Sequence, residues 1–182
     1  LARASGEPEA TVEAALIQAL RQRLNAFDGG GGQDLAILLA LPGTAELEAL
    51  QNPVDPPALY AAQREWIAEL GRQLADPLNQ LLDVCRGEWP QAWPAGQGAR
   101  SLTGLAWSWL AAAGDAEARN QALEAVSGPS MTLARAALRA LQPLEVDERD
   151  LALDRFYQRW EDKPVILDAW FALEASAPRT DG

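Results

Sequence analysis

The stretch GARSLTGLAWSWLAAAG, Gly98 to Gly114, carries the pattern that decides the fold. Leu102, Leu105, Ala106, Trp109 and Leu110 recur at spacings of three and four, which places them on one side of an α-helix. Trp107 falls elsewhere on the same wheel, so the helix must meet neighbours on more than one side. Gly114 follows the last periodic residue, where a residue without a Cβ can leave a helix through the left-handed region.

The same period continues on both sides of this segment. Downstream, Asp115 to Ser127 is predicted helical and closes at Gly128-Pro129, and Ser130 is placed as the N-cap of a helix turning Met131, Leu138 and Leu141 inward. Pro143 ends that helix. Asp147 and Asp150 have capping-box spacing ahead of Leu151, Leu153, Phe156, Tyr157 and Trp160, with Arg155 and Arg159 late, as the helix dipole favours. Pro164 then starts a last helix through Val165, Ile166, Ala169, Trp170 and Leu173, stopped by Pro178.

Upstream, Thr11 to Phe27 reads as an amphipathic helix with Val12, Leu16, Leu20, Leu24 and Phe27 as its stripe. The run Gly29-Gly30-Gly31-Gly32 lacks the Lys-Ser/Thr and the preceding strand of a phosphate loop, so a flexible connector is expected. Asp34 to Leu41 and Thr44 to Gln51 make short helices separated by Pro42-Gly43. Asp55 is an N-cap with Pro56 at the first helical position, opening a helix that carries Leu59, Tyr60, Trp66, Ile67, Leu70 and Leu74 inward. Asp76-Pro77 either repeats that device or kinks the existing helix. Trp89-Pro90 and Trp93-Pro94 forbid a helix, and their two tryptophans either fold back onto the core or form a contact surface.

No alternating β-type run occurs, so the fold class is all-α, about nine or ten helices joined by short turns. Antiparallel helix pairs stacked as an irregular armadillo/HEAT-like superhelix are the expected architecture, with a compact bundle as the alternative. Residues 1-182 are taken as a single helical domain with flexible ends at 1-8 and 179-182. The start at Leu1-Ala2-Arg3 and the stop at Thr180-Asp181-Gly182 read as those of a segment of a larger protein.

Composition narrows the chemistry. The 182 residues include no histidine, which excludes a Ser-His-Asp or Cys-His relay and an H-E-x-x-H metal site within this chain. With 15 basic against 26 acidic residues the net charge is -11, which repels nucleic acid and anionic membranes. No stretch nears the roughly 20 apolar residues of a membrane span. The lone Cys85, beside Leu81 and Leu82, is expected as a buried thiol, compatible with a cytoplasmic setting.

One block resembles a known family. Ser130-Met131-Thr132 leading to Ala136-Ala137-Leu138, then Tyr157-Gln158-Arg159-Trp160, then Val165-Ile166-Leu167-Asp168-Ala169-Trp170-Phe171-Ala172-Leu173-Glu174-Ala175-Ser176-Ala177-Pro178, is similar to the C-terminal helical domain of bacterial aminopeptidase N. Weaker similarity runs back through Arg100-Ser101-Leu102 to Asp34–Pro42. The family comprises gluzincin zinc aminopeptidases, which remove single residues from peptide N-termini. Its usual basic residue is replaced by Ala169, its Gln by Glu174 and its Asn by Ser130. Its H-E-x-x-H motif, distal Glu ligand, G-x-M-E-N motif and transition-state tyrosine have no counterpart here.

The resemblance implies a non-catalytic domain that acts as wall or lid of a peptidase chamber and controls peptide access. Catalytic, metal and cofactor residues are expected to be none in this segment. Zinc belongs to the parent enzyme's catalytic domain, and the partners are that domain and its peptide substrates. An independent peptide-binding solenoid with Trp89 and Trp93 as anchors is the alternative. The carboxylate pairs Asp147 with Asp150 and Glu161 with Asp162 would be the acid–base candidates of an enzyme, but capping and solvation explain them. If further helices normally cover the last one, the segment should self-associate through its C-terminal end, by some of Val165, Trp170 and Leu173.

Overall fold

The computed structural model describes residues 14–175 of the chain. Among these, ten helices follow one another without a strand: α1 (Ala14–Asn25), α2 (Gly32–Leu38), α3 (Thr44–Glu48), α4 (Pro56–Gln73), α5 (Ala75–Arg86), α6 (Gln97–Ala112), α7 (Ala116–Val126), α8 (Met131–Leu141), α9 (Asp147–Trp160) and α10 (Pro164–Ala175). The expected positions Val12, Pro178, 1-8 and 179-182 lie outside the described residues.

Short polar side chains set several helix starts. Asp55 accepts a hydrogen bond from the Ala58 N–H at 3.0 Å, with Pro56 beginning α4. Asp115 does the same for α7 from Ala118 at 2.9 Å, and the Ser130 hydroxyl for α8 from Leu133 at 3.3 Å. Each bond satisfies a backbone donor that the helix itself leaves unpaired. α9 departs from the expected capping box: its N-cap is Val146, with no side-chain cap, and Asp147 is already helical. Asp147, Glu148 and Asp150 all lie in its first turn, where carboxylates face the positive end of the dipole.

α6 is the centre of the stack, touching α2, α4, α5, α7 and α8. That is why both of its sides are apolar. Leu102, Ala106, Trp107 and Leu110 are fully buried. Small residues let neighbouring helices come close. A Cβ on Gly104 would stand 2.9 Å from that of Ala136 on α8, and one on Gly71 of α4 would collide with the Trp109 carbonyl. Gly114, at φ 92°, then turns the chain into α7.

The glycine run is not merely a flexible connector. Gly31, at φ 67°, precedes α2, and Gly32 is its first residue, facing Gly98 so closely that a Cβ there would lie 3.2 Å from the Gly98 carbonyl carbon. The α1 stripe also departs from expectation at one position. Ile17 and Leu24 are buried, with Leu20 and Phe27 against the core, whereas Leu16 is exposed. At Asp76-Pro77 the chain does start a new helix, but the break falls at buried Leu74, leaving Asp76 and Pro77 within the first turn of α5.

Beyond α6 the helices are added stepwise: α7 and α8 on α6 and each other, α9 on α7 and α8, α10 on α9. Arg119 of α7 and Glu148 of α9 are paired at 3.1 Å. This is the stacked superhelical layout expected from the sequence, in which each unit rests mainly on its neighbours.

Candidate functional site

The tryptophan-rich block proves to be the joint between α9 and α10. The Trp170 indole N–H donates to the Leu153 carbonyl at 3.1 Å, and its ring lies 5.3 Å from that of Tyr157 and 5.2 Å from that of Phe171. Trp160 is half-buried beneath the Arg159 guanidinium, 5.1 Å from its ring centre. Polar bonds close the same joint. Arg149 donates to the Gln142 carbonyl at 3.1 Å and pairs with Glu174 at 3.2 Å, while the Gln142 amide donates to the Leu173 carbonyl at 3.0 Å. Glu174, where the family usually has Gln, therefore has a local cation to meet.

Trp170 and Leu173 thus turn partly into the fold, while Val165 is 85% exposed. Of the three candidates for a self-associating face, Val165 is the exposed one.

The two loop tryptophans separate as well. The Trp89 indole N–H donates to the Thr103 hydroxyl at 2.9 Å, and its ring meets that of Trp107 edge-on at 5.8 Å. Trp93, four residues on, is 76% exposed. Arg100 holds the loop between them: this buried side chain donates from Nη1 to the carbonyls of Trp89 at 3.2 Å and Gln91 at 2.8 Å. A guanidinium suits such a place because its fixed donors reach two acceptors at once. Beyond the weak family similarity at Arg100-Ser101-Leu102 the sequence assigned Arg100 no role, since a lone arginine in the first turn of an apolar helix reads as solvated.

Against Trp89 and Pro90 lies a groove of about 480 Å³, closed on its far side by α7 and the turn at Gly128-Pro129. Glu117, Gln121, Glu124 and Ala125 form the α7 wall, and Leu133 contributes from α8. Gln121 is fixed from two sides, accepting from the Trp107 indole N–H at 3.5 Å and donating to Glu117 at 3.1 Å. The residues of this wall recur at a helical spacing, but in the sequence they read as an ordinary polar face.

The acid–base candidates are not brought together as a site. Asp147, Asp150, Glu161 and Asp162 are exposed, Asp150 pairs with Arg149 at 2.7 Å and Asp162 with Lys163 at 3.0 Å. Burial pushes the Cys85 thiol up to about 11, with the neighbouring Thr103 hydroxyl opposing the shift and Glu88 adding to it. Glu148 is held below the usual carboxylate range by its own backbone N–H and by Arg119. Among the described residues no group of three or more His, Cys, Asp or Glu is placed to hold a metal. Zinc favours imidazole and thiolate ligands, so this donor set does not fit it. No helix among these residues is long and apolar enough to cross a membrane.

Comparison with known proteins agrees with the geometry. All of residues 1–182 match the family described as a domain of unknown function with ARM repeats, DUF3458_C. Aminopeptidase N of Caulobacter vibrioides is 28% identical over 198 residues, covering 100% of this chain and 21% of its own length. Aminopeptidase N of Escherichia coli is 26% identical over 147 residues, 79% of this chain and 17% of its own. The crystal structure of Legionella pneumophila aminopeptidase A in complex with aspartic acid matches with a TM-score of 0.78 at 21% identity, covering 94% of this chain and 21% of that one. That likeness speaks for the fold. The chain spans about one fifth of the length of these relatives. By its helical stack, its tryptophan joint and the match along its full length, the chain belongs to the DUF3458_C family of ARM-repeat domains, seen in aminopeptidase N as the C-terminal helical domain.

Proposed function

We propose that the chain is the non-catalytic wall of a zinc aminopeptidase chamber, limiting which peptides reach a catalytic domain carried elsewhere in the same polypeptide. One observation carries this: the whole chain corresponds to 21% of the Caulobacter aminopeptidase N, yet it contains no histidine with which to bind zinc or move a proton. A wall needs no reactive group. It needs stiffness, and the α6-centred core supports that, since buried large side chains at full packing density resist deformation. The tryptophan joint extends the stiffness to α10. A cytoplasmic setting belongs to the proposal, in keeping with Cys85 as a buried free thiol.

The gene around this segment provides the test. An upstream H-E-x-x-H with a distal glutamate is expected, and the complete polypeptide should hold zinc and cleave aminoacyl reporters while the 182-residue chain does neither. An open reading frame without such a motif, or about one zinc per chain in the segment alone, would overturn it.

The exposure of Trp93 on a loop pinned by Arg100 favours one further reading: an interaction module acting through that loop. It differs in the expected context, with no peptidase motif upstream.

A further inference from the structure

We infer that the groove between Trp89-Pro90 and α7 binds an extended basic polypeptide segment, with arginine or lysine stems along its apolar side and their cationic heads at Glu117 and Glu124. This goes beyond the chamber proposal and does not depend on it. The groove, at about 480 Å³, has the size of a specific ligand site. Its apolar surface comes from Trp89, Pro90, Ala125, Pro129 and Leu133. Trp89 is bonded to Thr103 and set against buried Trp107, so little ordering remains to be done on binding.

Charge selects the occupant. Glu117 and Glu124 are seven residues apart on α7, two helical turns, so they share one face with a backbone rise of about 10.5 Å between them. Glu117 meets the uncharged amide of Gln121, and among the described residues neither carboxylate takes part in a salt bridge. The cation lining the groove, Arg86, is already matched by Asp83 at 3.3 Å and lies over the Trp89 ring at 5.9 Å. An incoming arginine or lysine suits both surfaces, because its methylene stem covers apolar wall while its head stays at the rim. In an extended peptide, side chains two residues apart share a face about 6.8 Å apart, within reach of both glutamates. The net charge of -11 draws such a segment in.

The test uses the full 182-residue chain and the peptide acetyl-Leu-Arg-Leu-Arg-amide, with acetyl-Leu-Gln-Leu-Gln-amide as its neutral counterpart. In two-dimensional NMR titrations the arginine peptide should saturate, moving the Trp89 indole resonance and the backbone of Glu117–Leu133, while the neutral peptide binds more weakly. The double variant E117Q/E124Q, at two exposed positions, should lose affinity by about fivefold or more. D147N/D154N removes the same charge from the exposed side of α9 and should lose less than about twofold, the effect of long-range attraction alone. Absence of saturable binding, equal losses in the two variants, or shifts scattered away from the groove would each overturn the inference, the second by reducing the attraction to net charge.

Discussion

Gly71→Ala probes the close crossing of α4 and α6 on which the stack is built. An added Cβ would meet the carbonyl of Trp109 and stand 2.8 Å from the Ala113 Cβ. The carbonyl cannot retreat cheaply, because it accepts the Ala113 N–H at 3.1 Å in the last turn of α6. Overfilling a packed site costs about 1–3 kcal/mol, and the backbone contact puts this site at the upper end. Replacing glycine by alanine inside a helix returns about 1 kcal/mol. The net is a destabilisation of about 2 kcal/mol, or a melting midpoint lower by roughly 4–8 °C for a chain of this size. Gly87→Ala is the matched control: its φ is -63° and the nearest atom to a new Cβ is 4.0 Å away. With no clash, the lost freedom of the unfolded chain should stabilise by about 0.4–1 kcal/mol. Thermal unfolding followed by circular dichroism reads both signs. A Gly71→Ala midpoint equal to or above the parent's would refute the crossing.

Other perturbations follow from the same contacts. Trp170→Ala removes a half-buried ring and its bond to Leu153, costing about 3 kcal/mol in urea denaturation, whereas Trp93→Ala, at an exposed ring, should change stability by less than about 0.5 kcal/mol. Arg149→Ala cuts the ties to Gln142 and Glu174, so amide exchange in 164–175 should speed up while that of α6 stays slow. Cys85 is raised in the folded state from 9.0 to about 11, so its stabilising contribution is complete below the first value and lost as pH rises through the second; native thiol should resist alkylation at neutral pH until the chain is denatured. Glu148 is shifted the other way, so its contribution is present above the ordinary carboxylate range and lost as pH falls through its depressed value. Arg119→Ala should flatten that acid limb.

Helix identity was legible because the period of three and four is a property of local sequence, and the caps at Asp55, Asp115 and Ser130 follow from short-range geometry. Trp107 was legible for the same reason, since it broke a stripe that was otherwise complete. What depends on neighbours was not. Leu16 and Ile17 are equally apolar, and the helices facing α1 choose Ile17. Gly32 looked like part of a tether because its reason, the approach of Gly98, lies more than sixty residues away. Asp147 has the right side chain for a cap, yet α9 begins one residue earlier. The groove escaped notice because Trp89 and the Glu117–Glu124 face belong to separate segments, and only folding sets them opposite each other.

Peptide selectivity in the complete polypeptide tests the chamber wall most directly. The quantity is the ratio of kcat/KM for a long peptide to kcat/KM for a dipeptide reporter, measured with and without this domain at equal zinc content. A wall that limits access predicts that the ratio rises when the domain is removed. An unchanged ratio in a folded, zinc-loaded enzyme would contradict it.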